Sequence, residues 1–191
     1  MSVLSRERLF MMFAGVPLNR IFLRLVLSLS LLSACSPAFN WRVVPNPDGG
    51  YTATFPDKPA LVTRTLDLAN LKVPLTLQAA QVNGLYFAVG TVPLDGDLKD
   101  RQTVLVDALS LALANNIQAS KPALATTTWL GMPVFEMDSR GKTAKGGAAF
   151  VKARFFEHHG HLFEVIVMGE AEQPDPGVVA QWFNGFAVGG R

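Results

Sequence analysis

The sequence predicts an α+β domain in which an antiparallel β-sheet is flanked by helices, preceded by a segment that is removed on export. Three observations lead there. Short runs alternate apolar and polar residues with a period of two, the dipeptide Asn83-Gly84 separates two such runs, and two longer stretches repeat apolar residues at helical spacing. A period of two places alternate side chains on one face of a strand, whereas spacings of three and four place them on one face of a helix.

Taken in chain order, Pro45-Asn46-Pro47-Asp48-Gly49-Gly50 is a turn cluster with strands expected on either side. Tyr51-Thr52-Ala53-Thr54-Phe55 alternates cleanly, so Tyr51 and Phe55 are expected in the core, and Pro56 ends the strand because it has no N–H to donate. Leu75 to Ala79 and Leu85 to Val89 form a hairpin around Asn83-Gly84, since both central residues of a type I′ turn need positive φ. Leu85 to Val89 is apolar on both faces, which predicts a central strand covered on each side, with helices as the covers.

Leu98, Leu105, Ala108, Leu109, Ala112 and Leu113 define a helix between Leu98 and Ile117, with Asp95, Gly96 and Asp97 as its expected caps. Thr126–Trp129, Val134–Asp138, Ala148–Glu157 and Leu162–Met168 read as further strands, the last two joined by a turn at Gly160. Asp175-Pro176 opens a second helix, in which Val178, Val179, Trp182, Phe183 and Phe186 make one apolar stripe. No repeat or linker divides the chain after the export segment, so residues 41–191 are expected to form a single domain.

The amino-terminal segment, residues 1–34, has its own logic. Arg20 and Arg24 precede an apolar run from Leu25 to Leu32, and the small residues Ser33 and Ala34 stand before Cys35, the only cysteine of the 191 residues. A charged flank, a short apolar stretch and a small-residue exit make an export signal. The run is too short for a spanning helix, which takes roughly 20 apolar residues. Leu32-Ser33-Ala34-Cys35 resembles the lipobox of bacterial lipoproteins, which implies cleavage between Ala34 and Cys35 and a covalent lipid on the Cys35 thiol. Residues 35–40 then read as a lipidated tether. Ser36 stands where the family places Asp for inner-membrane retention, so the resemblance implies the outer membrane, with the domain facing the periplasm. Translation from Met11 or Met12 gives a signal of more usual length than Met1.

Charge excludes some partners. The sequence pI is about 8.9, but of 17 basic and 15 acidic residues, four and one respectively lie before Cys35, which leaves 13 and 14 in the remainder. A near-neutral domain lacks the basic stripe that a nucleic acid needs, so no nucleic-acid partner is expected. Gly141-Lys142-Thr143 does not end a phosphate loop, because Glu136 stands where that motif requires Gly, and no nucleotide is expected.

Candidate chemistry is sparse. His159 and His161, two residues apart beside Gly160, are candidate metal ligands, although their turn context favours solvated side chains. Glu136 and Asp138 alternate on one strand in the manner of paired carboxylates. Arg140, Lys142 and Lys145 are spaced through a Gly-containing loop whose context favours solvated side chains over an acidic partner or lipid headgroups, and the break at Gly131-Met132-Pro133 favours core packing of Trp129 and Met132 over a partner groove. There is no Gly-x-Ser-x-Gly elbow, no His-Glu-x-x-His and no second cysteine, so no enzyme is expected and no cofactor beyond the lipid on Cys35.

The order of elements, with Tyr51-Thr52-Ala53-Thr54-Phe55-Pro56 early and Trp182-Phe183-Asn184-Gly185-Phe186 closing the chain, resembles small PsbP-like domains over most of residues 41–188. That resemblance implies an α/β/α sandwich around an antiparallel sheet, and a binding or docking role. The expectation for function is a non-catalytic, membrane-anchored lipoprotein that docks or stabilises another envelope protein. The alternative is a module that binds a small ligand or a metal.

Overall fold

The computed structural model describes residues 39–170 and 174–189. The export signal, the lipobox with Cys35, and the tether as far as residue 38 lie outside the described residues. The described residues belong to one compact unit.

Ten strands and two α-helices follow in order: β1 Arg42–Asn46, β2 Tyr51–Phe55, β3 Ala60–Leu68, β4 Leu71–Val82, β5 Leu85–Pro93, α1 Gln102–Asn116, β6 Ala125–Trp129, β7 Met132–Lys142, β8 Ala148–His158, β9 His161–Gly169, α2 Pro176–Asn184 and β10 Phe186–Val188. Seven of the strands form one antiparallel sheet in the order β3-β4-β5-β9-β8-β7-β6, and β1-β2-β10 form a second, three-stranded antiparallel sheet.

This corrects the expected fold class. Strands take up 53% and helices 18% of the structure, so the fold is β-rich with two sheets and is not a PsbP-like α/β/α sandwich of one sheet flanked by helices. The physical reason lies at the two ends of the domain. The turn cluster at 45–50 closes a hairpin whose strand β2 buries Tyr51, Ala53 and Phe55 completely or nearly so. The apolar stripe of the last helix stops at Gly185, where a Cβ would stand 2.6 Å from Thr54 Cβ. Phe186 therefore leaves the helix and pairs with Ala53 as part of β10. One face of the large sheet is covered by α1, and the other by the small sheet together with α2.

Two cores result. On the α1 face, Leu105, Leu109 and Leu113 pack with Ala88, Val92, Phe155, Leu162 and Ile166. On the opposite face an aromatic core gathers Phe55, Phe87, Phe156, Phe163, Trp182 and Phe186. Trp182 is fully buried with its ring centroid 5.1 Å from that of Phe55 and 5.5 Å from that of Phe87. Among the described residues its indole Nε1 has no hydrogen-bond partner, and Trp182 packs through apolar and ring contacts. Tyr51 ties the small sheet to the large one: its hydroxyl donates to Gln78 Oε1 at 2.8 Å and accepts from Asn46 Nδ2 at 2.9 Å. Burial pushes the Tyr51 phenol up to about 12, against the lowering hydrogen bond from Asn46.

Local signals acted much as the pattern implied at the Asn83-Gly84 turn, where φ is 51° and 76°, and at Asp175, whose carboxylate accepts from Gly177 N–H at 2.7 Å to cap α2. The first helix differs from expectation. Gly96–Leu98 forms a short 3₁₀ turn, and α1 begins at Gln102 after Arg101 with no side-chain cap. Its carboxyl end is fastened by tertiary contact: Lys142 N–H donates to Ile117 C=O at 2.6 Å, an approach that leaves no room for a Cβ on Gly141. No described helix is long and apolar enough to cross a membrane.

Candidate functional site

A cavity of about 930 Å³ opens between α1 and the large sheet, within the range of about 300–1,000 Å³ typical of small-molecule sites. The helix meets β3, β7 and β8, and side chains of β3, β4, β5 and β9 line the space beside it. Val62, Arg64 and Leu66 of β3, Leu75 and Leu77 of β4, Tyr86 of β5, and Ile166 and Met168 of β9 form the floor. Leu109, Leu113 and Ile117 form the roof.

Within this apolar wall stands a buried carboxyl group. Glu164 lies in β9 between Leu162 and Ile166 on the α1 face, only 4% exposed. Its cross-strand neighbour is Gly90, and the fit between them explains that glycine: a Cβ there would stand 2.5 Å from both Glu164 Cγ and Oε1. The carboxyl thus lies across the bare backbone of β5. On its other side Glu164 faces Phe155 of β8. No described residue donates a hydrogen bond to it or pairs with its charge. Burial alone pushes its carboxyl up to about 7, so a proton is held to far higher pH than on an exposed glutamate.

Three further charged groups line the cavity, Arg64 and Asp67 of β3 and Glu170 just after β9. Tyr86 belongs to the same electrostatic neighbourhood. Its phenol is raised above the ordinary value, first by burial, then by the negative charge of Glu164, with Arg64 opposing.

A second, smaller cavity of about 400 Å³ lies against α2 and includes Arg140, Lys152, Arg154 and Phe183. Its cations are already engaged. Lys152 and Arg140 both bind Asp138, and although burial pushes the Asp138 carboxyl up, these partners outweigh it and hold the group below the usual range. Arg154 binds Glu136 at 2.9 Å and stacks between the rings of Trp129 and Phe183, at 4.7 and 4.3 Å from their centroids. Glu136 and Asp138 are therefore the anionic halves of cross-strand ion pairs with β8.

The structure places His159 and Gly160 at the two central positions of the β8–β9 turn, with φ of 49° and 74°. His161 Nδ1 meets the His159 backbone carbonyl at 3.2 Å, and the ring nearest His159 is that of His158, 4.1 Å between centroids. Among the described residues there is no group of three or more His, Cys, Asp or Glu side chains placed to hold a metal ion. Trp129 and Met132 pack against the aromatic core.

Sequence reasoning missed Glu164, Arg64 and Tyr86. A signal for Glu164 was present, because it is the one charged residue in the otherwise apolar strand Leu162–Met168, opposite a glycine in an equally apolar strand. No protein-family model matches the chain, and no curated protein matches it in sequence.

Proposed function

We propose that this chain is a non-catalytic binding module of the bacterial cell envelope, anchored by lipid on Cys35 to the outer membrane, that holds a small and largely apolar ligand in the cavity under α1. The observation that carries the ligand reading is Glu164, a buried and unpartnered carboxyl in the wall of an apolar cavity of ligand size. Leaving such a group unpaired costs about 1–3 kcal/mol, a cost that a ligand with a complementary polar group relieves. The anchoring rests on the lipobox-like Leu32-Ser33-Ala34-Cys35.

Two measurements test the two halves. Cells fed labelled palmitate should incorporate it into the wild type and not into Cys35→Ser, and equal incorporation refutes the anchor. The purified protein should bind the neutral apolar dye Nile red, and Ala112→Trp, which fills the cavity from α1, should weaken binding roughly tenfold or more. Absence of dye binding, or no effect of Ala112→Trp in a folded protein, refutes the pocket.

Docking to another envelope protein is favoured by a different feature, the outer edge strand β3, where Leu61 is 60% and Val62 44% exposed. An exposed edge offers unpaired backbone groups to an added strand. Site-specific crosslinking from position 61 in cells that captures one discrete partner supports this second reading, and crosslinks to many proteins or none count against it.

A further inference from the structure

Resting on the pocket reading, we infer that the cavity under α1 selects an amphiphile with an apolar tail and a cationic amine head, the ammonium pairing with the Glu164 carboxylate while the tail lies among Leu75, Leu77, Leu109 and Leu113.

Of the groups that face Glu164 or line the cavity, β3 supplies one cation, Arg64, and one anion, Asp67, β9 ends in the anion Glu170, and β5 supplies only the phenol of Tyr86. The lining residues of β4, β8 and α1 contribute no titratable group. Asp67 is paired with Lys72, so with Glu164 ionised two anions, Glu164 and Glu170, stand against the one cation Arg64, and an anionic head such as a fatty carboxylate meets net repulsion while an ammonium meets attraction. The local geometry fits a donor as well. Glu164 lies over Gly90 with no described residue hydrogen-bonded to it, so its oxygens can accept from a ligand N–H. A charge-assisted N⁺–H···O⁻ bond inside an apolar wall is also about twice as strong as a neutral one.

Proton balance follows from the same arrangement. In the empty cavity near pH 6 the carboxyl holds its proton, because burial raises it to about 7. When an ammonium binds, that proton leaves to solvent and the carboxylate takes its place. Amine affinity therefore rises as pH rises through about 7 and levels off above it, as long as the amine stays protonated.

Displacement of Nile red by dodecylammonium and by dodecanoate, each below its micelle concentration, tests the inference. At pH 7.5 the ammonium should displace the dye at a concentration about tenfold or more below that of dodecanoate. Glu164→Gln, which keeps the shape and removes the charge, should cost the ammonium roughly tenfold while dye binding persists. In the wild type at pH 6, calorimetry in buffers of different ionisation enthalpy should register proton release on ammonium binding, a readout that does not depend on any variant.

Equal or preferential binding of dodecanoate overturns the inference, as does an unchanged ammonium affinity in Glu164→Gln or no proton release at pH 6. In each of these cases Nile red binding that is blocked by Ala112→Trp leaves the pocket reading standing. If Nile red itself does not bind, the pocket reading fails and the amine inference fails with it.

Discussion

Replacing Glu164 by Gln should stabilise the protein increasingly as pH rises from about 4.5 to about 7. In the unfolded chain the carboxyl takes its ordinary value of 4.5, and in the folded protein burial raises it to about 7. Between these values the unfolded chain has released the proton that the folded protein still holds, so folding stability falls as pH rises from about 4.5 to about 7 and stays flat beyond. At roughly 1.4 kcal/mol for each pH unit between the two values, the accumulated loss is about 3 kcal/mol. Gln has no such proton. Its amide remains buried, yet it avoids the cost of placing a charge against Leu162, Ile166 and Phe155. At pH 5 the variant should therefore be ahead of the wild type by no more than about 1 kcal/mol, and at pH 8 it should be more stable by about 3 kcal/mol. Urea unfolding of both proteins at the two pH values measures this directly. Asp138 and His158, whose carboxyl and imidazole are also shifted, are common to both proteins and cancel in the difference. A variant that is equally or less stable than wild type at pH 8, or one whose advantage is the same at pH 5, refutes the argument that Glu164 is buried without a partner.

Two further outcomes test the packing. Trp182→Ala removes a fully buried ring from between Phe55 and Phe87 and should cost about 3–5 kcal/mol in urea unfolding; Trp182→Phe should cost much less, since the indole N–H it discards has no partner, and equal losses would show the ring packing to be unimportant. Gly141→Ala drives a methyl group into the Ile117 carbonyl and should lower stability by about 1–3 kcal/mol; in thermal melts Gly147→Ala, whose Cβ meets only Thr143 Oγ1 at 3.4 Å, should stay near wild type.

What could be read from residues alone was whatever depends on neighbours in sequence. The strand at Tyr51–Phe55, the Asn83-Gly84 hairpin and the Asp175-Pro176 helix start each depend on a few adjacent residues whose backbone preferences agree. The lipobox-like Leu32-Ser33-Ala34-Cys35 is local in the same way. Edge strand β3 was not legible, because Leu61 and Val62 adjoin one another, Arg64 interrupts the inward-facing row, and its turn at Ala69-Asn70 lacks the usual glycine. Strand β10 was hidden for a different reason. Phe186 fits the helical stripe of α2 in spacing, and only the close approach of Gly185 to Thr54 turns it into a sheet.

The balance of helix and sheet was set at that level too, since whether the second face of the large sheet receives a helix or a small sheet depends on β1, β2 and β10 meeting across more than a hundred residues of chain. The cavity and its carboxyl belong there as well. Sequence shows a Glu in one apolar strand and a Gly in another. Antiparallel pairing of β5 with β9 sets Glu164 over Gly90, and the packing of α1 on the sheet encloses the cavity that Glu164 lines. Burial raises the carboxyl only after both have happened, because desolvation is a property of the assembled neighbourhood and not of any residue in it.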